Sequence, residues 1–279
     1  MGKTLMNIRS IKDRLRNSEK KVAEYVLSHP DKVIRSSITD VAEEAATSEP
    51  SVIRFCRSMG LRGFMDLKLK LARDLPSSKY IHENVSEDDS LPEIFNKLFN
   101  SSRESISNTM RSLDLKLMEQ ACDALAKARR IEFYGVGGSG VVARDAYHKF
   151  FRLGIACSVY DDPHMQVMSA ALLGEQDVVV AISHSGSTRD ILESIAIAKN
   201  KGATIIGIVG EHKSPMAKLC DITLSVNIQE AALRFAPMAS RLVQLVVIDV
   251  LFVSVAMKGF DKFKERLDDV KHSLVDKRY

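Results

Sequence analysis

Cysteine is scarce in this 279-residue chain: four are scattered at 56, 122, 157 and 220, none in C-x-x-C spacing. That argues against a disulfide framework or a zinc ribbon and fits reduced thiols in a cytoplasm. No uninterrupted apolar run reaches the roughly 18 residues needed to span a bilayer. A transmembrane helix and a membrane partner are therefore not expected. Residues 1–21 carry charge but no apolar h-region and no small-residue cleavage site, so secretion is not expected either. The seven histidines show no metal-ligand spacing, and neither a metal nor a cofactor is expected. Glycine and proline are sparse, at 14 and 7, against 45% hydrophobic and 27% charged residues. This is the composition of a packed chain, and its length suits one large or two ordinary domains.

What is present is unevenly spread. Residues 1–80 carry 16 Lys and Arg against 10 Asp and Glu, a net +6, while the remainder is net −2. A basic head on a nearly neutral body suits a polyanion partner. A solvated basic face would give the same split, so the motifs must decide.

The pattern changes near residue 75. Before it, apolar residues recur at helical spacing: Val22, Tyr25, Val26; Ile38, Val41, Ala42, Ala45; Val52, Ile53, Phe55, Met59. The polar stretch 76–92, with a proline near each end and four acids, reads as a linker. Helices are expected at about 91–112 and 114–128. Short β-branched or aromatic runs follow at 131–136, 155–160, 177–183, 204–209 and 222–226, alternating with helix-length segments. Near-continuous apolar strands so spaced predict a parallel sheet covered on both faces. A long apolar helix, roughly 238–258, and a charged helix close the chain. The fold class expected is α/β: an all-α domain over 1–75, the linker over 76–92, and a doubly wound parallel five-stranded sheet over 93–279.

In the head, Ser18 is the expected N-cap of a helix ended by His29-Pro30. A helix from Ile38, a short turn at Ala46-Thr47, and a second helix capped by Ser48 with Pro50 in its first turn form a helix-turn-helix. With Val52, Phe55 and Met59 inward, Glu49, Ser51, Arg54, Arg57 and Ser58 should face outward. Such a face enters the major groove of duplex DNA, where arginine pairs with guanine or grips phosphate. The DNA-contact candidates are Ser48, Ser51, Arg54, Arg57 and Ser58.

In the body, the first strand runs into Gly135-Val-Gly-Gly-Ser-Gly140, with Asp161 lying 21 residues beyond, a match to the dinucleotide pattern G-x-G-x-x-G. The third strand, however, ends in Ser183-His-Ser-Gly-Ser-Thr188. A dinucleotide has no use for four hydroxyls there. A phosphate monoester does, because hydroxyls and free N–H groups at a helix start make an anion cradle. The ligand candidates are Gly137, Gly138 and Ser139 from the first loop, and Ser183, Ser185, Gly186, Ser187 and Thr188 from the second.

These residues resemble a known family. S-E-K-K-V-A-E-Y-V-L (18–27), S-E-P-S-V-I-R-F-C-R-S-M-G-L-R-G-F (48–64) and S-H-S-G-S-T (183–188) resemble RpiR-type regulators, a helix-turn-helix domain followed by a sugar isomerase (SIS) domain. The segment 238–251 is similar to the hexose-catabolism branch, HexR. The resemblance implies a homodimer or homotetramer repressing genes of glucose and central carbon metabolism. It implies 2-keto-3-deoxy-6-phosphogluconate as effector and no catalytic role. It also implies that Ser139, Ser183, Ser185 and Thr188 hold phosphate, while Arg54 and Arg57 lie on the outward face of the recognition helix. The rival reading is a phosphosugar isomerase, which needs a tuned base near the substrate carbons, with His184 and Glu230 as candidates. A nicotinamide-dependent dehydrogenase is disfavoured by the serine-rich loop.

Overall fold

The computed structural model describes residues 2–74, 80–82, 85–210, 212–228, 238–273 and 275. It divides into two compact units, the first Met1–Asn100 and the second starting at Ser101. The first unit holds six short helices: α1 (Lys3–Ile11), α2 (Asn17–Ser28), α3 (Pro30–Arg35), α4 (Ile38–Glu44), α5 (Glu49–Ser58) and α6 (Phe64–Asp74). Its core joins Val22, Val26, Val41, Val52, Phe55 and Leu67, all fully buried. The α2 start differs from expectation. Arg16, extended at φ −66° and ψ 155°, takes the N-cap place, and Ser18 lies inside the first turn. Within the polar stretch, β1 (Tyr80–His82) pairs antiparallel with β2 (Val85–Ser86), and α7 (Leu91–Ser112) follows. Residues 75–79 and 83–84 of that stretch lie outside the described residues.

The second unit continues with α8 (Leu115–Lys127), β3 (Arg130–Tyr134), α9 (Gly138–Phe150), β4 (Ala156–Tyr160), α10 (Pro163–Ala170) and β5 (Asp177–Ser183). Then come α11 (Arg189–Asn200), β6 (Thr204–Val209), α12 (Pro215–Leu219), β7 (Ile222–Ser225), α13 (Ala239–Lys258) and α14 (Phe260–Ser273). The five long strands are all parallel, in the order β4-β3-β5-β6-β7. Alternate residues of each strand feed two aliphatic layers. Ile131, Phe133, Val178, Val180 and Ile206 pack with α8, α9 and α13. Val179, Ala181 and Ile205 pack with α10, α11 and α12. Burial in these layers and in the head pushes the Cys56 and Cys220 thiols up to about 12, so both are protonated at neutral pH.

Two buried carboxylates interrupt the aliphatic pattern. Glu132, fully buried on β3, accepts hydrogen bonds from Tyr134 Oη (2.5 Å) and Ser169 Oγ (2.6 Å), with Arg130 Nη1 3.5 Å away. Asp177, also fully buried, is gripped by Arg129 Nε (2.9 Å) and Nη2 (2.7 Å) and by the Gly174 N–H (2.9 Å). A buried charge persists only with such partners.

By length and composition α13 is apolar enough to cross a membrane, although no uninterrupted run in it reaches that length. Its buried stripe, Val243, Val247, Ile248, Leu251 and Val255, sits in the sheet's core, and Asp249 on the same helix pairs with Lys149 at 2.5 Å. That is the pattern of a core helix.

Candidate functional sites

The first site is built on α4 and α5. Ser37 and Asp40 form a reciprocal capping box at the start of α4, each side chain accepting the other's backbone N–H (3.1 and 3.0 Å). The turn that follows sets Ala46 at φ +48°, a left-handed conformation that costs a residue bearing a Cβ about 1–2 kcal/mol. Thr47 N–H returns to Ala42 O at 2.8 Å and closes the helix end. Pro50 stands in the first turn of α5, and Val52, Phe55 and Met59 are buried as the spacing requires.

Ser48, Arg54, Arg57 and Ser58 are exposed on α5 and its cap. Ser51 is not: only 2% of it is exposed, against the outward place expected. Its small side chain tucks under the neighbouring turn, where its hydroxyl meets Ser48 Oγ (3.0 Å) and accepts from Arg54 Nη2 (2.7 Å). Ser48 occupies the N-cap position, yet its hydroxyl makes no cap bond to the backbone. A residue that sequence reasoning missed completes the arrangement. Glu19 of α2, 5% exposed, accepts from Ser58 Oγ (2.9 Å) and lies 4.0 Å from Arg54 Nε. Arg54 is therefore restrained from two sides, while Arg57 makes no side-chain bond among the described residues. The helix presents one fixed and one free guanidinium a turn apart, a pair suited to anions and to guanine edges.

The second site lies at the carboxyl edge of the sheet. Counted within the sheet, the strand order is 2-1-3-4-5, so the direction in which strands are added across the sheet switches between β3 and β5. In open α/β sheets ligands bind in the crevice at this switch. The two loops singled out above leave these two neighbouring strands, paired from Arg130↔Asp177 to Tyr134↔Ala181 and about 4.8 Å apart.

In the first loop Gly137, at φ +60°, caps α9, and Gly138 and Ser139 form its first turn, half-buried. Gln166 of α10, fully buried, donates from Nε2 to Gly135 O (3.3 Å) and Tyr160 O (2.7 Å) and fixes the loop's entry. This clamp was not legible in the sequence. In the second loop Ser183 is 3% exposed; its Oγ accepts from Gly186 N–H (3.2 Å) and meets Thr188 Oγ1 (3.3 Å). Ser185 Oγ accepts from Ser187 N–H (3.3 Å), and both serines are exposed. Gly186 sits at φ +57°, where a Cβ would overlap the fully buried Ser214. Thr188 holds the N-cap place of α11 with no side-chain bond to the helix backbone, leaving first-turn N–H groups of a 12-residue helix beside these hydroxyls. The edge can cradle a small anion.

Asp161 is spent elsewhere. It pairs with Arg144 (3.1 Å to Nε), which holds its carboxyl below the usual range, so the dinucleotide pattern lacks a free ribose acid. The half-buried His184 packs its ring on Gly210 and accepts Gly210 N–H at its carbonyl (2.9 Å). Glu230 lies outside the described residues. Arg241 is exposed. No group of three or more metal-ligating side chains occurs among the described residues.

Two stretches of the chain match known protein families. Residues 2–78 match the helix-turn-helix domain of the rpiR family, and residues 124–254 match the SIS domain. The HTH-type transcriptional regulator HexR of Escherichia coli (strain K12) is 40% identical, over 99% of this chain and 95% of that protein. HexR of Pseudomonas aeruginosa is 39% identical, over 100% of this chain and 98% of that protein. Among solved structures, the Vibrio vulnificus NanR protein complexed with ManNAc-6P superposes with a TM-score of 0.86. It is 26% identical and covers 99% of both chains. Two full-length relatives near 40% identity, and a fold shared end to end, show that this chain belongs to the rpiR family of helix-turn-helix, SIS-domain transcriptional regulators and is HexR-like within it.

Proposed function

We propose that the protein is a cytoplasmic repressor of glucose and central carbon metabolism genes that senses 2-keto-3-deoxy-6-phosphogluconate. The carrying observation is the pair of loops at the switch in strand order, one glycine-rich and one lined with hydroxyls. On this reading Gly137, Gly138, Ser139, Ser183, Ser185, Gly186, Ser187 and Thr188 hold the phosphate, and Ser183 acts mainly by shaping its loop. Ser48, Arg54, Arg57 and Ser58 face duplex DNA, with Ser51 positioning Arg54. NanR, a relative whose structure contains a sugar phosphate, and the HexR relatives support this ligand class and role. The division into a DNA-binding domain over 1–75, a linker over 76–92 and a sensor over 93–279 is part of the same reading.

A homodimer or homotetramer also belongs to it. Leu242, Val246, Val250, Val253 and Met257 form an exposed apolar stripe along α13, a surface for a second copy of the chain. A dimeric head reads two half-sites one helical turn, or a multiple, apart.

Calorimetric titration of the full chain with the effector, alone and with its operator duplex, tests the reading. Coupling between ligand and DNA is reciprocal, so the duplex must change effector affinity by the factor by which effector changes DNA affinity. Ser139→Ala with Ser185→Ala should weaken effector binding at least tenfold and leave DNA affinity unchanged. Equal effector affinity with and without duplex would refute the sensor role.

A further inference from the structure

The basic face of the head extends beyond the recognition helix. A cleft of about 580 Å³ runs between α5 and the segment that joins α1 to α2, lined by Arg14, Arg16, Glu19, Arg54, Arg57 and Ser58. Arg14 ends a short 3-10 turn, and Arg16 holds the N-cap place of α2. Neither belongs to the helix-turn-helix.

The surrounding charges show why these two arginines differ from an ordinary basic surface. Lys12 is neutralised by Glu24 (3.2 Å) and Lys20 by Asp13 (3.4 Å), and Lys21 donates to Ala46 O (3.3 Å). Arg14 and Arg16, both exposed, make no side-chain hydrogen bond or ion pair among the described residues, and neither does Arg57. The one acid in the cleft, Glu19, is buried and already accepts from Ser58. Four guanidiniums thus converge on one concavity with a single carboxylate to offset them. In the free protein they repel one another, and the cleft walls focus their field outward.

We infer that Arg14 and Arg16 form a phosphate clamp that seats the DNA backbone beside the groove occupied by α5. The inference rests on the DNA-binding reading above. Arginines flanking a groove-entering helix meet backbone phosphates at its lip, whereas base edges are reached from the helix itself. Guanidinium suits this task because its forked donors match phosphate oxygens. The clamp therefore contributes affinity and register, while Arg54 and Arg57 contribute sequence choice.

Counterion release supplies a quantitative test. Each phosphate neutralised adds about 0.9 to the slope of log affinity against log salt, so two contacts add about 1.8. At 0.1 M salt that is roughly 8-fold per contact and about 60-fold for both. The probes are two mixed-sequence duplexes of unrelated sequence, each about 30 base pairs or three helical turns long. Fluorescence anisotropy with the full chain is read across a salt series. The Arg14→Gln, Arg16→Gln double variant should lose about 1.8 in slope for each head seated, about 3.6 for a dimer with both heads bound, and the same factor on both duplexes. The Arg14→Lys, Arg16→Lys variant, which keeps the charges, should retain the wild-type slope. A wild-type slope in the glutamine variant, a loss confined to one duplex, or a lost slope in the lysine variant would each overturn the clamp. Failure of the wild-type chain to bind either duplex would instead overturn the DNA-binding reading.

Discussion

Replacing Gly186 by alanine should disable the hydroxyl loop through one contact, and a second substitution should partly repair it. Gly186 stands at φ +57°, and a Cβ there would overlap both Oγ and Cβ of Ser214. The left-handed backbone costs an alanine about 1–2 kcal/mol. Ser214 cannot simply retreat: it is fully buried, its Oγ caps α12 by accepting from Ala217 N–H (3.3 Å), and Gly186 O accepts from Met216 N–H (2.9 Å). Overpacking of this kind costs about 1–3 kcal/mol, so Gly186→Ala should destabilise the sheet unit by about 2–5 kcal/mol. Ser214→Gly alone loses a cap and gains chain entropy, for about 0.5–1 kcal/mol. In the double variant the overlap vanishes while the backbone strain remains. The cycle should therefore show a favourable coupling of about 1–3 kcal/mol. Hydrogen–deuterium exchange of the β5 and β6 peptides in the intact chain reads the local opening free energy without requiring two-state unfolding of both units. Additive effects within about 0.5 kcal/mol would show that the two residues do not collide, and the steric argument would fail.

Arg54→Ala and Arg57→Ala should each weaken operator binding by about 1–3 kcal/mol in mobility-shift titrations. Both side chains are exposed, so thermal stability should hold; undiminished affinity in both would remove α5 from the interface. Burial pushes the Asp177 carboxyl up, but hydrogen bonds from Arg129 and Gly174 outweigh it and hold the carboxyl below its ordinary value. A depressed folded pKa stabilises above the unfolded value of about 3.9 and is lost as pH falls through the folded one. Arg129→Ala should therefore cost about 1–3 kcal/mol at pH 7, discounted because the arginine is 60% exposed. It should also move acid unfolding to higher pH, as followed by circular dichroism. An unchanged acid midpoint would show that Arg129 does not hold the carboxylate.

The strands were legible because each is a run of Val, Ile or aromatic residues bounded by turn residues. β5 and β6 begin and end where the apolar runs do. Adjacency of the two loops was only implied: strand order depends on crossover handedness, and the pairing of β3 with both β4 and β5 makes the crevice. Side-chain placement within a turn was harder. Ser51 falls on the outward arc of a helical wheel, but its size lets it fold under Arg54, a contact that periodicity does not describe. Arg16 displaced Ser18 as the α2 cap because backbone conformation at the 3-10 exit, rather than side-chain preference, chose the start. Glu19 and Gln166 left no sequence signal, since Ser58 lies 39 residues from the first and Gly135 31 residues from the second.

The buried Glu132 has a consequence for alignment. In β5 every residue from Val178 to Ile182 is aliphatic and buried, so the strand would be equally content showing either face. A shift of one position against its neighbour would turn all its side chains over at little cost in apolar contact. β3 is not so indifferent. Moved by one residue, Glu132 and Tyr134, two apart on the same strand, would turn over together, and the carboxylate would leave Ser169 and enter the layer of Leu125, Phe150 and Ile182 with the tyrosine as its sole hydrogen-bond partner. Several kcal/mol would be lost, far more than any aliphatic exchange would return. The same slip would draw Arg130 out of line with Asp177, its partner across the ladder. Polar groups that look like defects in a hydrophobic sheet thus exclude its near-degenerate misalignments, and they fix the height at which the two loops emerge side by side.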